Sequence, residues 1–273
     1  VKNHHYKLLV IDVDGTLIDG KGGIPSGTEK VIARVKQAGM RISLCTGRSN
    51  TATVPLIKRL SLDGYHIFFD GALVSGPGPA EEVYAQPLAP QHVKKMIDFA
   101  HEHGINLELF TVTRFFSERE SWSTQVRREL FSIETTIVDF NDIWQRERII
   151  KGTILTRTPE EVSAAEAFHR HFQGQLNFSQ AVAPFLPGVT FVNVLAPGVT
   201  KGKALEALVS HLNIPLADVF AIGDGSNDIP LFSAAGMAVA MGNAPDPVKA
   251  AADYVTDDIE HNGLAKAIKK FLL

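Results

Sequence analysis

An apolar run, Leu8-Leu9-Val10-Ile11, passes directly into Asp12-Val13-Asp14-Gly15-Thr16-Leu17, and residues 28–37 then carry apolar side chains at helical spacing until Gly39 stops them. A strand followed by a helix is the reading. The same change of period recurs at 41–45, 67–69, 219–222 and 238–241, each run lying next to a plausible helix. Strands alternating with helices predict a parallel sheet covered on both faces, the doubly wound, Rossmann-like α/β class.

Residues 83–189 break that pattern, mixing helices expected over 90–103 and 159–172 with more polar strands. They read as an inserted α+β cap lobe, which leaves a discontinuous core of 1–82 and 190–273. Turn-rich sequence at 76–79 and 184–188 offers places for the chain to leave the core and return. With 273 residues, 45% of them hydrophobic, the chain is long enough to bury two cores.

A formal charge of -3 gives no global attraction to nucleic acid or to an anionic membrane surface, so neither is an expected partner. No apolar run reaches the roughly 18–20 residues of a membrane span, and no basic stretch followed by an apolar core opens the chain. Cys45 is the single cysteine, which rules out an intramolecular disulfide framework and fits the reducing cytoplasm. A monomer or small homo-oligomer is expected. His4-His5 reads as a disordered terminus.

Four segments carry chemistry. Asp12 and Asp14 lie at the end of the first strand, where residues two apart face one side, and burying acids against Leu8-Leu9-Val10-Ile11 calls for a cation or hydrogen bonds. One carboxylate can attack phosphorus while the other moves a proton, although an Asp-Gly pair also makes simple turns. Cys45-Thr46-Gly47-Arg48 follows the second strand. Its hydroxyl and amides can hold a phosphate oxygen and Arg48 can pair with phosphate; a helix start and a surface arginine are the plainer readings. Lys201 precedes a helix expected over 204–212, a place the helix dipole disfavours, which points to charge balance as its purpose. Lys203 is the competing candidate. Finally, Gly223-Asp224-Gly225-Ser226-Asn227-Asp228 closes another apolar strand with carboxylates suited to a hard cation such as magnesium.

In this order the four segments resemble the motifs of the haloacid dehalogenase superfamily of phosphohydrolases, and the long insertion resembles the type-2 cap of its Cof-like branch. The resemblance implies Asp12 as nucleophile, Asp14 as general acid and base, and Thr46 and Lys201 as holders of the phosphoryl group, with Gly47 and Arg48 beside them. It also implies Mg²⁺ on Asp12, Asp224 and the main-chain carbonyl of Asp14, Asn227 near the phosphate, and Asp228 as a supporting carboxylate. Relatives often carry Asn-Gly-Ala after the third core strand; this chain has Asp70-Gly71-Ala72. The implied activity is hydrolysis of small soluble phosphomonoesters, sugar phosphates first among them.

The same aspartyl chemistry would serve a phosphomutase, and a phosphoaspartate signalling receiver shares the acids, the threonine and the lysine. A receiver has no use for the large insertion. Dehalogenation is disfavoured, because a halide leaves without the proton that Asp14 is placed to give. His101-Glu102-His103 and His169-Arg170-His171 do not read as zinc sites, since helical residues two apart diverge. Arg114, Phe115, Phe116 and Trp122 are candidates for a recognition surface, with core packing as the alternative.

Overall fold

A computed structural model describes residues 6–76, 81–182 and 186–273. Of the turn-rich positions, 77–79 and 184–185 therefore lie outside the described residues, as does His4-His5. Strands β1 (Leu8–Asp12), β2 (Arg41–Cys45), β3 (His66–Phe68), β4 (Leu73–Ser75) and β5 (Glu82–Ala85) come first. The middle of the chain adds β6 (Leu107–Phe110), β7 (Phe115–Ser117), β8 (Thr135–Ile137), β9 (Lys151–Thr156), β10 (Asn177–Val182) and β11 (Thr190–Leu195). Last come β12 (Val219–Gly223), β13 (Met237–Ala240) and β14 (Tyr254–Val255).

These strands form two sheets, one ordered β14-β13-β12-β1-β2-β3-β4-β5 and the other β10-β11-β9-β6-β7-β8. From β14 through β3 the first sheet is parallel, as the alternation predicts. Its β3-β4-β5 edge is antiparallel, a meander that the short 67–69 run did not reveal. In β1, Leu9 and Ile11 enter one apolar cluster while Leu8 and Val10 enter another, so both faces of the sheet are covered. The second sheet is antiparallel apart from the β7–β8 pair.

Sheet membership moves the expected crossing points. Residues 83–85 extend the first sheet rather than opening the insertion, and 190–195 complete the second rather than rejoining the core. Strand pairing decides this: β5 pairs with β4, and β11 pairs with β10 and β9. Helices α1 (Thr28–Gln37), α2 (Asn50–Arg59), α3 (Pro90–Glu102), α4 (Trp122–Phe131), α5 (Pro159–Phe172) and α6 (Lys201–Leu212) pack around the sheets. The last begins three residues earlier than the periodicity indicates, because the Thr200 hydroxyl caps it by accepting from the Lys203 amide. Among the described residues no helix is long and apolar enough to cross a membrane.

His66 links β2 to β3 in an unusual way. Only Cys45 and Ile67 pair across these strands, and the buried His66 ring supplies a further acceptor, its Nδ1 taking the Leu44 amide at 3.1 Å. Burial drives its pKa down to about 4, with Asp63 opposing weakly. Between pH 6.5 and 4 the unfolded chain thus binds a proton that the folded one refuses, so this group removes about 3 kcal/mol of stability as pH falls through that window. NMR of the folded protein at pH 5.5 should find a neutral His66 ring; an imidazolium there would contradict its buried acceptor role.

Candidate active site

Three neighbouring strands, β2, β1 and β12, end at the same edge of the first sheet, and each hands a polar turn to that edge. Parallel strands make this convergence automatic, because their carboxyl ends all point one way. Asp12 is the last residue of β1; Thr46 follows β2; Asp224 follows β12. Lys201 reaches the same point from the first turn of α6, with only 1% of the residue exposed. Its Nζ donates to Asp12 Oδ1 and to Asp228 Oδ1, both at 2.6 Å. Lys203 faces solvent, so of the two lysines it is Lys201 that reaches this cluster.

Carboxylate oxygens of Asp12, Asp224 and Asp228 lie within 4.8 Å of one another. Burial and then the charge of Asp228 hold the Asp12 carboxyl well above its usual range, against the pull of Lys201. The same two causes push Asp224 up to about 7. For Lys201 burial opposes the charged form, but Asp12 and Asp228 outweigh it and raise the ammonium well above its ordinary value. One lysine does not neutralise so many acids. The donor set, all hard oxygen, fits a divalent cation such as magnesium or calcium.

Each acid is held by named partners. Asp224 accepts from Thr16 Oγ1 at 2.7 Å and from Asn243 Nδ2 at 3.1 Å. Asn243 also donates to the Gly15 carbonyl, tying the β1 turn to the turn after β13. Gly15 has φ +92°, and a Cβ there would fall on the Asp224 carboxylate, so glycine is required twice over. Asp228 Oδ2 accepts the amides of Asp224 and Gly225 at 3.0 and 2.9 Å. With Lys201 on its other oxygen, Asp228 acts as a strut for the turn. Asp12 and Asp224 are the acids left to meet a cation.

On the other side, Arg48 grips Asp14 with a two-pronged pair, Nε to Oδ2 at 2.9 Å and Nη2 to Oδ1 at 2.6 Å. The arginine thus orients Asp14 instead of standing free for a phosphate, and its guanidinium also lies 5.3 Å from the Phe131 ring of α4. Thr46 is buried, and its Oγ1 accepts from the Arg48 amide at 3.1 Å. Asn227 donates to Asp70 Oδ1 at 2.8 Å, while Asn193 of β11 donates to Asp70 Oδ2 at 3.0 Å. Phe69 and Asp70 both have positive φ, 52° and 55°, so the backbone is strained where Asp70 turns into the site. Asp70 therefore bridges the two sheets.

A cavity of about 480 Å³ opens between the sheets, with Asp12, Asp14, Thr46, Asp224 and Asn227 on its floor. Its roof comes from the second lobe: Phe110, Arg127, Phe131, Lys151, Phe191 and Asn193. Of the recognition candidates from sequence, Phe115 and Phe116 are buried core, Arg114 pairs with Glu147, and Trp122 donates to Glu161. None lines the cavity. The roof residues and Asn243 escaped notice in the sequence, although Asn243 lies just past the 238–241 run, after Gly242, where a strand-end polar residue was open to be read.

A family model of haloacid dehalogenase-like hydrolases matches residues 9–268. The Bacillus subtilis protein YcsE, a 5-amino-6-(5-phospho-D-ribitylamino)uracil phosphatase, is 28% identical over 98% of this chain and 96% of its own. A haloacid dehalogenase-like hydrolase from Bacteroides thetaiotaomicron superposes with a TM-score of 0.84 at 27% identity, covering 97% of this chain and 99% of that one. The HAD subclass IIB sugar phosphatase BT4131 does so with a TM-score of 0.79 at 28% identity over 97% and 98%. With nearly the whole length matched in sequence and in fold, this chain belongs to the haloacid dehalogenase-like hydrolases.

Proposed function

We propose that this hydrolase is a magnesium-dependent phosphatase that cleaves small, soluble phosphomonoesters through a phosphoaspartate on Asp12. One observation carries the reading: Asp12, 7% exposed, meets Lys201 at 2.6 Å inside a cluster of carboxylates at the floor of the cavity. Lys201 occupies Oδ1 of Asp12, which leaves Oδ2 to attack phosphorus in line with the departing oxygen. The P–O bond to the leaving group breaks as the new Asp12–phosphorus bond forms. Asp14 gives the leaving oxygen its proton and, once a water has replaced the alcohol, takes a proton from that water as it attacks the acyl phosphate.

Thr46 and the amide of Gly47 cradle the phosphoryl oxygens, and Lys201 takes up developing negative charge. Magnesium held by Asp12, Asp224 and the Asp14 carbonyl would offset repulsion between carboxylate and phosphate. Arg48 keeps Asp14 aimed at the leaving group. We assign the first sheet with its helices as the catalytic core and the second as a cap that excludes water and selects the organic part of the substrate. The relatives named as a sugar phosphatase and a ribitylaminouracil phosphatase support small phosphomonoesters as the substrate class. The cytoplasm is the compartment this chemistry and the single cysteine suit.

Phosphate release from a panel of phosphomonoesters, measured with magnesium and again after a chelator, tests the reading. Release that stops with the chelator and returns with added magnesium is the expected result. Unchanged release in chelator, or an isomerised sugar phosphate in place of inorganic phosphate, would refute it.

A further inference from the structure

Lys151 begins β9 on the roof of the cavity with 5% of the residue exposed. Its Nζ donates to the Gly47 carbonyl at 2.8 Å, and the Phe69 and Phe110 rings lie 5.7 and 5.6 Å from it. An ammonium carries three N–H donors, and among the described residues only one of these has an acceptor. Neither acidic neighbour bonds to it: Asp70 accepts from Asn193 and Asn227, and Glu108 accepts twice from Arg127 through Oε2 while its buried Oε1 has no hydrogen-bond partner. Burial pulls the Lys151 pKa down to about 8 despite Asp70, as befits a cation short of acceptors. An incomplete shell on a buried ammonium is costly, and a ligand that completes it gains accordingly.

We propose that Lys151 is a specificity-determining residue of the cap: anchored on Gly47, it donates its remaining N–H groups to uncharged oxygen acceptors on the leaving group, so that hydroxylated phosphomonoesters are selected. The inference rests on the phosphatase reading of the same site. Neutral acceptors are favoured over a second anion because the roof's charges are already matched, Lys151 by nearby Asp70 and Arg127 by Glu108. The anchor on Gly47 places the donor beside the loop that receives the phosphoryl group, within reach of oxygens close to the ester. Phe110, Phe131 and Phe191 offer apolar surface for the carbon skeleton between those oxygens.

Two probes separate this role from a purely structural one: glucitol 6-phosphate, and hexyl phosphate, which has the same carbon chain without hydroxyls. Wild-type protein with magnesium should show a kcat/KM about 10- to 100-fold higher for the polyol ester, the worth of one or two hydrogen bonds to a charged donor. Lys151→Met should lower the polyol value by about that factor more than the hexyl value, mainly through KM, and Lys151→Arg should keep part of the preference. A wild-type ratio near one would overturn the inference, and this measurement needs no variant. Equal losses on both probes in Lys151→Met would overturn it too, leaving the lysine as a support for the Gly47 loop alone. If wild-type protein releases phosphate from no ester at all, the phosphatase reading itself has failed and takes this inference with it.

Discussion

Asp12→Asn should lower phosphate release by about 10⁴-fold or more, because it removes the attacking atom and leaves nothing nearby to replace it. Asparagine matches aspartate in shape, and its amide oxygen still accepts from Lys201, so the fold should survive. Asp14 cannot substitute, since Arg48 aims it at the leaving group and Lys201 bonds Asp12 instead. Asp228 is walled in by Lys201 and two amides. The measurement has two arms: steady-state release, and mass spectrometry of wild-type protein quenched during turnover, which should find the phosphoryl group on the peptide containing Asp12. Retained turnover in the variant, or a phosphoryl group on another side chain, would remove the nucleophile from the mechanism.

Lys201→Met is the second large effect, and it reaches stability as well as rate. The ammonium is the only cation bonded to Asp12 and Asp228 among the described residues. Removing one partner from a buried ion pair typically costs about 3–5 kcal/mol, because the opposite charge remains buried without compensation. Metal-free Lys201→Met should lose stability of that order in a denaturant titration, and its turnover should fall steeply in magnesium. Adding Asp228→Asn to the variant should recover part of the stability, since one of the two stranded charges is then gone. A single variant as stable as wild type, or a double variant less stable than the single one, would show that the charge balance drawn around Lys201 is wrong.

Both predictions concern residues visible in the sequence, and the reason is local. Asp12, Thr46 and Asp224 each follow a short apolar run, and a parallel sheet brings such run ends together whatever its finer details. Lys201 was marked by an anomaly, a cation where the dipole of a helix disfavours one. Arg48 was identified, but its partner was not: pairing with Asp14 depends on how the β2 turn folds back over the β1 turn. Asp70 was noticed only as a departure from a pattern. Its bridging of Asn193 and Asn227 needs two sheets in contact, across separations of 123 and 157 residues.

The second lobe was the least legible part, for a related reason. In an antiparallel sheet every strand offers two faces, and sequence alone does not say which one turns toward a neighbouring domain. Helix α4 poses the same problem: Trp122 at its start was a candidate for the cavity, whereas Arg127 and Phe131 farther along it are the residues that line it. The limits of the lobe were displaced likewise, because β5 and β11 belong to whichever sheet offers them a partner.

The amino-acid order by itself determined the α/β class, the inserted second lobe, the acids and threonine at the strand ends and the lysine at a helix start, because hydrophobic period and turn chemistry act over a few residues. Tertiary structure decided which charges meet, that Asp70 joins the two sheets, and that Lys151 rather than Arg114 faces the cavity. Those outcomes depend on the docking of surfaces far apart in the chain, and no local pattern encodes where a docked surface will lie.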